Sequence, residues 1–216
     1  MGFSFADIIQ RAVLYLPVLL LSLTVHEFAH AWAARRLGDD TAERMGRLTL
    51  NPLAHADPLG TFLLPLIAPF GWAKPVPVDP SRFRKGVDMG KGMMFTSLAG
   101  PFANVILAIL STLVLGMLFR FAPGFSQRVG GLAAFLQISI QMNVVLAVFN
   151  LIPIPPLDGS RIVDAFLPAR FRPQWEAFAR FSPFLLLALV FFGWRVIGVP
   201  VEAGIRLLER LLVAIV

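Results

Sequence analysis

Hydrophobic positions fall in long blocks along most of this chain, with only brief alternation. From Ile8 to about Ala34 the residues are almost all apolar, interrupted by Pro17 and, towards the end, by His26, Glu27 and His30. A block of that length predicts a helix crossing a bilayer, because about 20 apolar residues cover the hydrocarbon and every backbone N–H and C=O there must be bonded internally. It runs well past the length of a signal-peptide core, and no small-residue cleavage site follows, so it reads as a retained span. Further blocks at about Gly92–Phe119, Leu132–Ile152 and Pro183–Val199 predict three more spans. The last segment, 201–216, carries Glu202, Arg206, Glu209 and Arg210 among apolar residues and predicts an amphipathic helix that crosses the bilayer or lies on it.

Between the first two spans the pattern changes. Residues 35–91 are rich in Gly, Pro and charge, with short alternating pieces at Arg47-Leu48-Thr49-Leu50 and Lys74-Pro75-Val76-Pro77-Val78. Such alternation predicts short strands, and the prolines confine them to edges. The apolar stretch Leu59–Ala73, broken by Pro65 and Pro69, is too short to span and predicts a re-entrant or interfacial segment. The expected fold is an all-α polytopic membrane protein: four to five transmembrane helices, with a short β-strand and re-entrant loop between spans one and two. A single domain over residues 1–216 is expected, without repeats or low-complexity tracts.

Composition agrees. The chain is 57% hydrophobic and 15% charged, against about 25% charged in soluble domains, and its mean hydropathy is +0.75. The net charge of +6 points to anionic headgroups and not to nucleic acid, since there is neither a basic run nor an aromatic stacking platform. Arg35, Arg36, Arg44, Arg47, Lys74, Arg82, Arg84, Lys85 and Lys91 lie in the 35–91 loop, and Arg161, Arg170, Arg172 and Arg180 follow the third span. Only Arg120 and Arg128 lie in the intervening turn. The positive-inside rule then places the ends of spans one and three on the cytoplasmic face, with the N-terminus outside. With no cysteine, any metal must be held by His and carboxylate.

His26-Glu27-Phe28-Ala29-His30 reads H-E-x-x-H. Residues four apart share a helical face, so both histidines can reach one metal, while Glu27, about 100° round, can hold a water bound to it. Ionisable groups at membrane depth cost several kcal/mol unless paired or coordinated. The plainer reading is a polar face that lines a helix bundle with structural hydrogen bonds. A catalytic zinc generally takes three protein ligands and a water, so a third ligand must come from elsewhere. Asp158, Asp57 and His55 are the candidates. Asp158 ends a span in a Pro-rich turn and is somewhat favoured, whereas Asp57, before Pro58, also suits a turn or cap. The residues alone leave this open.

Together with Asn51-Pro52-Leu53-Ala54-His55-Ala56-Asp57-Pro58-Leu59-Gly60, Gly71-Trp72-Ala73-Lys74-Pro75-Val76-Pro77-Val78, Ala99-Gly100-Pro101-Phe102-Ala103-Asn104 and Asn150-Leu151-Ile152-Pro153-Ile154-Pro155-Pro156-Leu157-Asp158-Gly159, this motif resembles the site-2 protease family of intramembrane zinc metalloproteases over about residues 20–165. The resemblance is to a short form, without PDZ or CBS domains. It implies one zinc held by His26, His30 and Asp158, with Glu27 as general base. It also implies that Asn150 steadies the substrate carbonyl or its oxyanion, and that Gly100 and Asn104, as G-x-x-x-N, belong to the substrate path. The substrates would be transmembrane segments of other membrane proteins, cut in regulated intramembrane proteolysis, in a bacterial inner membrane. A substrate helix must unwind before attack, and an exposed edge in the 45–80 loop could then take it up as an added strand.

The rival reading is a zinc-binding membrane scaffold or chaperone-like subunit without activity. A zinc transporter is disfavoured because spans two and four offer almost no ionisable residues. His55 reads as a hydrogen-bonded loop histidine or a contact behind the site. Asn104 and Asn143 also suit helix packing. Trp32, Trp72, Trp175 and Trp194 suit interfacial anchoring, and Met89, Met93 and Met94 suit packing or lipid contact. The sequence leaves the oligomeric state open.

Overall fold

The computed structural model describes residues 5–67, 71–121 and 130–216. The first helix, α1 (Phe5–Leu37), passes through Pro17 and stops at Gly38, whose φ of 114° favours glycine. The Gly38 N–H donates to the Arg35 carbonyl and the Asp39 N–H to the Ala34 carbonyl, the paired closure of a Schellman end. Short helical pieces follow: α2 (Thr41–Arg44), α3 (Pro52–His55), a π-helical turn (Pro58–Leu63) and α4 (Leu64–Ile67). The long helices α5 (Met89–Phe121) and α6 (Gly130–Asn150) come next, then α7 (Asp158–Phe166), α8 (Arg172–Phe192) and α9 (Trp194–Ile215).

Among the described residues, four helices are long and apolar enough to cross a membrane, within Val13–Leu37, Met89–Phe121, Gly130–Asn150 and Ala169–Phe192. The fourth differs from the 183–199 expectation. Pro183 lies inside α8 and does not open it, and the break comes at Gly193, so the last helix starts at Trp194 and not at 201. The third span ends at Asn150, two residues early, because 151–157 forms turns.

Helix α5 is the centre of the packing, in contact with α1, α6, α7 and α9. Its Ala108 and Leu115 join Leu136, Ile140 and Val144 of α6 and Ile197, Val201 and Leu208 of α9 in one apolar core. A smaller cluster links Leu19 and Leu23 of α1 to Ala73 of the loop, with Met142 and Leu146 of α6 against it. Helix α8 is largely exposed, as a lipid-facing helix would be.

The expected strands are absent among the described residues, and regular structure there is helical throughout. Residues 71–79 are non-helical and have no partner strand among the described residues. With Pro75 and Pro77 lacking N–H groups, the only amide between them is that of Val76, and it is spent on a side chain. At the other alternating piece, the Thr49 carbonyl is taken by the His55 ring. The expected re-entrant stretch 59–73 is helical through Ile67 and non-helical from Gly71, and 68–70 lie outside the described residues, as does Arg128.

Polar contacts pin this loop to the end of α1. Buried Asp39 accepts from the N–H of Asp79 (2.7 Å) and of Thr41 (2.9 Å), and the Arg84 N–H donates to the Leu37 carbonyl (2.8 Å). The Lys74 N–H donates to the His55 carbonyl (2.9 Å), and the buried Arg47 guanidinium donates to the carbonyls of Lys74 and Pro75. These contacts bring Val76 against the C-terminal part of α1, at Glu27. Of the tryptophans, Trp32 is half exposed with the Arg36 guanidinium 4.9 Å from its ring, Trp175 stacks on Phe178, and Trp72 packs over Gly60.

Candidate metal centre

His26 and His30 lie eleven and seven residues before the end of α1, about 16 and 10 Å inside it at 1.5 Å per residue. Both rings are buried against α5. The Nδ1 of His30 is 2.7 Å from the Thr96 carbonyl, which can only accept, so Nδ1 carries the proton. The Nδ1 of His26 is 2.7 Å from Oδ1 of Asn104 and donates to it. In the neutral rings both Nε2 atoms are then unprotonated, and they face each other at 3.0 Å.

Asp158, the first residue of α7, adds a third acceptor. Its Oδ2 lies 3.2 Å from Nε2 of His26 and 3.4 Å from Nε2 of His30, and it is buried with no hydrogen-bond partner. Three acceptors converge with nothing donating between them, an arrangement that a cation satisfies. The spacing fits as well, since ligand atoms about 2.0–2.1 Å from a tetrahedral zinc are about 3.3 Å apart. Among the described residues this is the one group of His and carboxylate side chains placed to hold a metal.

Two glycines permit the approach. A Cβ on Gly100 would sit 2.5 Å from Cε1 of His30 and 2.6 Å from Cε1 of His26, so the rings rest directly on the α5 backbone. A Cβ on Gly159 would collide with the Leu151 and Ile152 carbonyls, where the turn after α6 folds back to deliver Asp158.

Glu27 is buried beside the histidines, and its Oε2 accepts the Val76 N–H at 2.8 Å. The two other candidates for the third ligand, Asp57 and His55, lie outside this group. Asp57 caps the π-helical turn, accepting from the N–H of Leu59 (3.0 Å) and Gly60 (2.7 Å). His55 is buried with its Nε2–H on the Thr49 carbonyl, and it reaches the site only through its own carbonyl, the Lys74 N–H and thence the Val76 segment. Asn150, half-buried, turns its amide back onto the Leu146 carbonyl (3.0 Å). Gly100 and Asn104, expected on a substrate path, face the histidines: Gly100 is the floor under both rings, and Asn104 is the partner of His26. The G-x-x-x-N spacing carried that signal, since residues four apart on α5 share the face that meets His26 and His30 of α1.

A family model described as Peptidase family M50 matches residues 14–129 and 124–192. A protein of Bacillus subtilis named "Putative zinc metalloprotease YwhC" is 42% identical over 193 residues, covering 86% of this chain and 84% of the relative. Proteins that carry the same name with the suffix Rip2 come from Mycolicibacterium smegmatis and Mycobacterium tuberculosis. The first is 36% identical over 151 residues, 68% of this chain and 55% of its own length, and the second 32% identical over 174 residues, 80% and 62%. No solved structure matches the chain at a significant level.

Proposed function

The chain belongs to peptidase family M50, a site-2-type metallopeptidase family that uses zinc, and on that footing we propose that it is an intramembrane endopeptidase. It hydrolyses peptide bonds within or near transmembrane segments of other membrane proteins, in a bacterial cell membrane, with its site towards the cytoplasmic face. The observation that carries this reading is the convergence of His26, His30 and Asp158, three acceptors without a donor, deep in a bundle of membrane-length helices.

His26, His30 and Asp158 would hold the zinc, the residues forming a single intramembrane protease domain with the helices around them. Bound there, zinc supplies acidity to a water and polarises the scissile carbonyl. Glu27, next in the chain to His26, accepts the proton from the attacking water and returns it to the leaving nitrogen. Oε2 is held by Val76, which leaves Oε1 for that exchange. Asn150, by releasing Leu146, turns an N–H towards the oxygen on which negative charge develops. Burial in the bundle keeps bulk water from these groups and strengthens each interaction.

The test is Glu27→Gln in detergent-purified protein, assayed for bound zinc and for cleavage of a reconstituted single-span membrane protein. The expected result is about one zinc retained per chain and cleavage reduced at least 10²-fold, as loss of a general base requires. Unchanged processing would leave the scaffold reading in possession of the site.

A further inference from the structure

Behind His26 lies a chain of buried amides whose direction is set by backbone carbonyls. Asn143 of α6 donates from Nδ2 to the Ser139 carbonyl (2.8 Å) and to Oγ of Ser22 (2.9 Å). A carbonyl can only accept, so the amide cannot be reversed, and Oδ1 of Asn143 must face Asn104 as an acceptor. Nδ2 of Asn104 donates to it at 2.7 Å and, in a longer bond of 3.2 Å, to the Ser22 carbonyl, a second acceptor that favours the same orientation. Oδ1 of Asn104 is thereby the only atom left for His26, whose Nδ1 must donate, so that in the neutral ring Nε2 is the unprotonated nitrogen. Asn104 and Asn143 have no exposed surface, so bulk water reaches neither amide.

We propose that Asn143 is a positioning residue for the metal centre: through Asn104 it imposes on His26 the tautomer that leaves Nε2 free for zinc. Without it, one of the two acceptors that fix the Asn104 amide is gone. Asn104 can then present Nδ2 to His26, and His26 can carry its proton on Nε2, where it cannot bind metal. A purely packing role for Asn143 requires no such direction, yet every link in the chain has one. The inference rests on the zinc site and not on proteolysis, so a chain that binds zinc and cleaves nothing still tests it.

The experiment measures the zinc dissociation constant of detergent-purified protein by chelator competition. Asn143→Leu fills the vacated space and Asn143→Ala leaves it, and whichever keeps the wild-type helical circular dichroism carries the test. Ser111→Ala is the reference, because Ser111 bonds Ser139 at 2.9 Å within the same buried polar cluster but is no part of the chain to His26. The constant is expected to rise about tenfold with Asn143 replaced and to stay within about twofold for Ser111→Ala. Equal effects from the two would overturn the proposal. The same replacement is then made in Asn104→Asp, whose side chain presents an acceptor to His26 in either orientation. There the loss of Asn143 is expected to weaken zinc no further, and an undiminished effect in that background would also overturn it.

Discussion

Replacing Gly100 with alanine separates the role of this residue beneath the histidines from a role in guiding substrate. The added Cβ would stand 2.5 and 2.6 Å from ring carbons of His30 and His26, where carbon contacts relax to about 3.5–4.0 Å. Helices α1 and α5 must therefore separate locally by about 1 Å. The hydrogen bonds from His30 to the Thr96 carbonyl and from His26 to Asn104, both 2.7 Å, would then stretch to about 3.7 Å, beyond useful hydrogen-bond range. Overpacking of this kind costs about 1–3 kcal/mol, and about 1 kcal/mol returns because alanine favours the helix over glycine. The net loss of stability is about 0–2 kcal/mol, while loss of the bonds that orient the ligands costs about 10–100-fold in metal affinity. Gly100→Ala should thus bind zinc at least tenfold more weakly and melt, metal-free, within a few degrees of the wild type. Chelator competition and thermal unfolding of the stripped protein measure the two quantities. A variant that binds zinc as the wild type does, while cleaving less, would refute the packing argument and return Gly100 to the substrate path.

Other outcomes follow from the same contacts. Asp158→Ala should abolish stoichiometric zinc, since it removes the one carboxylate facing both Nε2 atoms; zinc per chain by elemental analysis checks this, and full retention would require another ligand. Val76→Pro deletes the N–H that Oε2 of Glu27 accepts, and should slow cleavage about tenfold while zinc stays bound, as assays of both will show. In the exposed loop, the hydroxyl and N–H of Ser81 donate to Asp79 and hold its carboxyl below the usual value. The stabilisation is therefore complete above the unfolded pKa of about 3.9 and is lost as pH falls through the lower folded value. Protection factors for hydrogen exchange at residues 79, 81 and 82, with the intrinsic pH dependence removed, should stay flat from about pH 8 to 5 and fall only below about pH 4, and Asp79→Asn should remove that fall.

The long helices were legible because a bilayer admits few alternatives: an apolar block of twenty or more residues must satisfy its own backbone, so α1, α5 and α6 follow from hydropathy. The loop was not legible. Two-residue alternation at Arg47–Leu50 and Lys74–Val78 reads as strand, but a strand needs an edge, and here Arg47, His55 and Glu27 side chains take the backbone groups a neighbouring strand would have used. Pro183 misled for a related reason. A proline lacks only one donor, and α8 runs through it, whereas Gly193 closes the helix onto the Leu189 carbonyl. Asn104 and Asn143 were legible as polar residues within spans, but which acceptor each one faces is decided by the register of α1 against α5 and α6, and hydropathy does not encode it.

The third acceptor illustrates why one motif cannot complete the site. His26 and His30 are set four apart by the periodicity of a single helix, and their spacing is local. Asp158 comes from a different part of the chain and must be placed within 3.4 Å of both rings by tertiary contacts alone. The turn after Asn150 does this: the chain folds back so closely that Gly159 has no room for a side chain against the Leu151 carbonyl, and Asp158 becomes the first residue of α7. There the positive end of the new helix favours its carboxylate, and the Ser160 hydroxyl, bonded to the Leu157 carbonyl, closes the turn beneath it. The charge is thus held by a helix start on one side and the Nε2 atoms of His26 and His30 on the other. A cation shared by the three ligand atoms would tie this turn to α1, so metal binding should tighten the turn. Zinc removal is therefore expected to loosen residues 151–160 in hydrogen exchange before it loosens α1 or α5, and equal loosening of all three would mean that the turn holds without the metal.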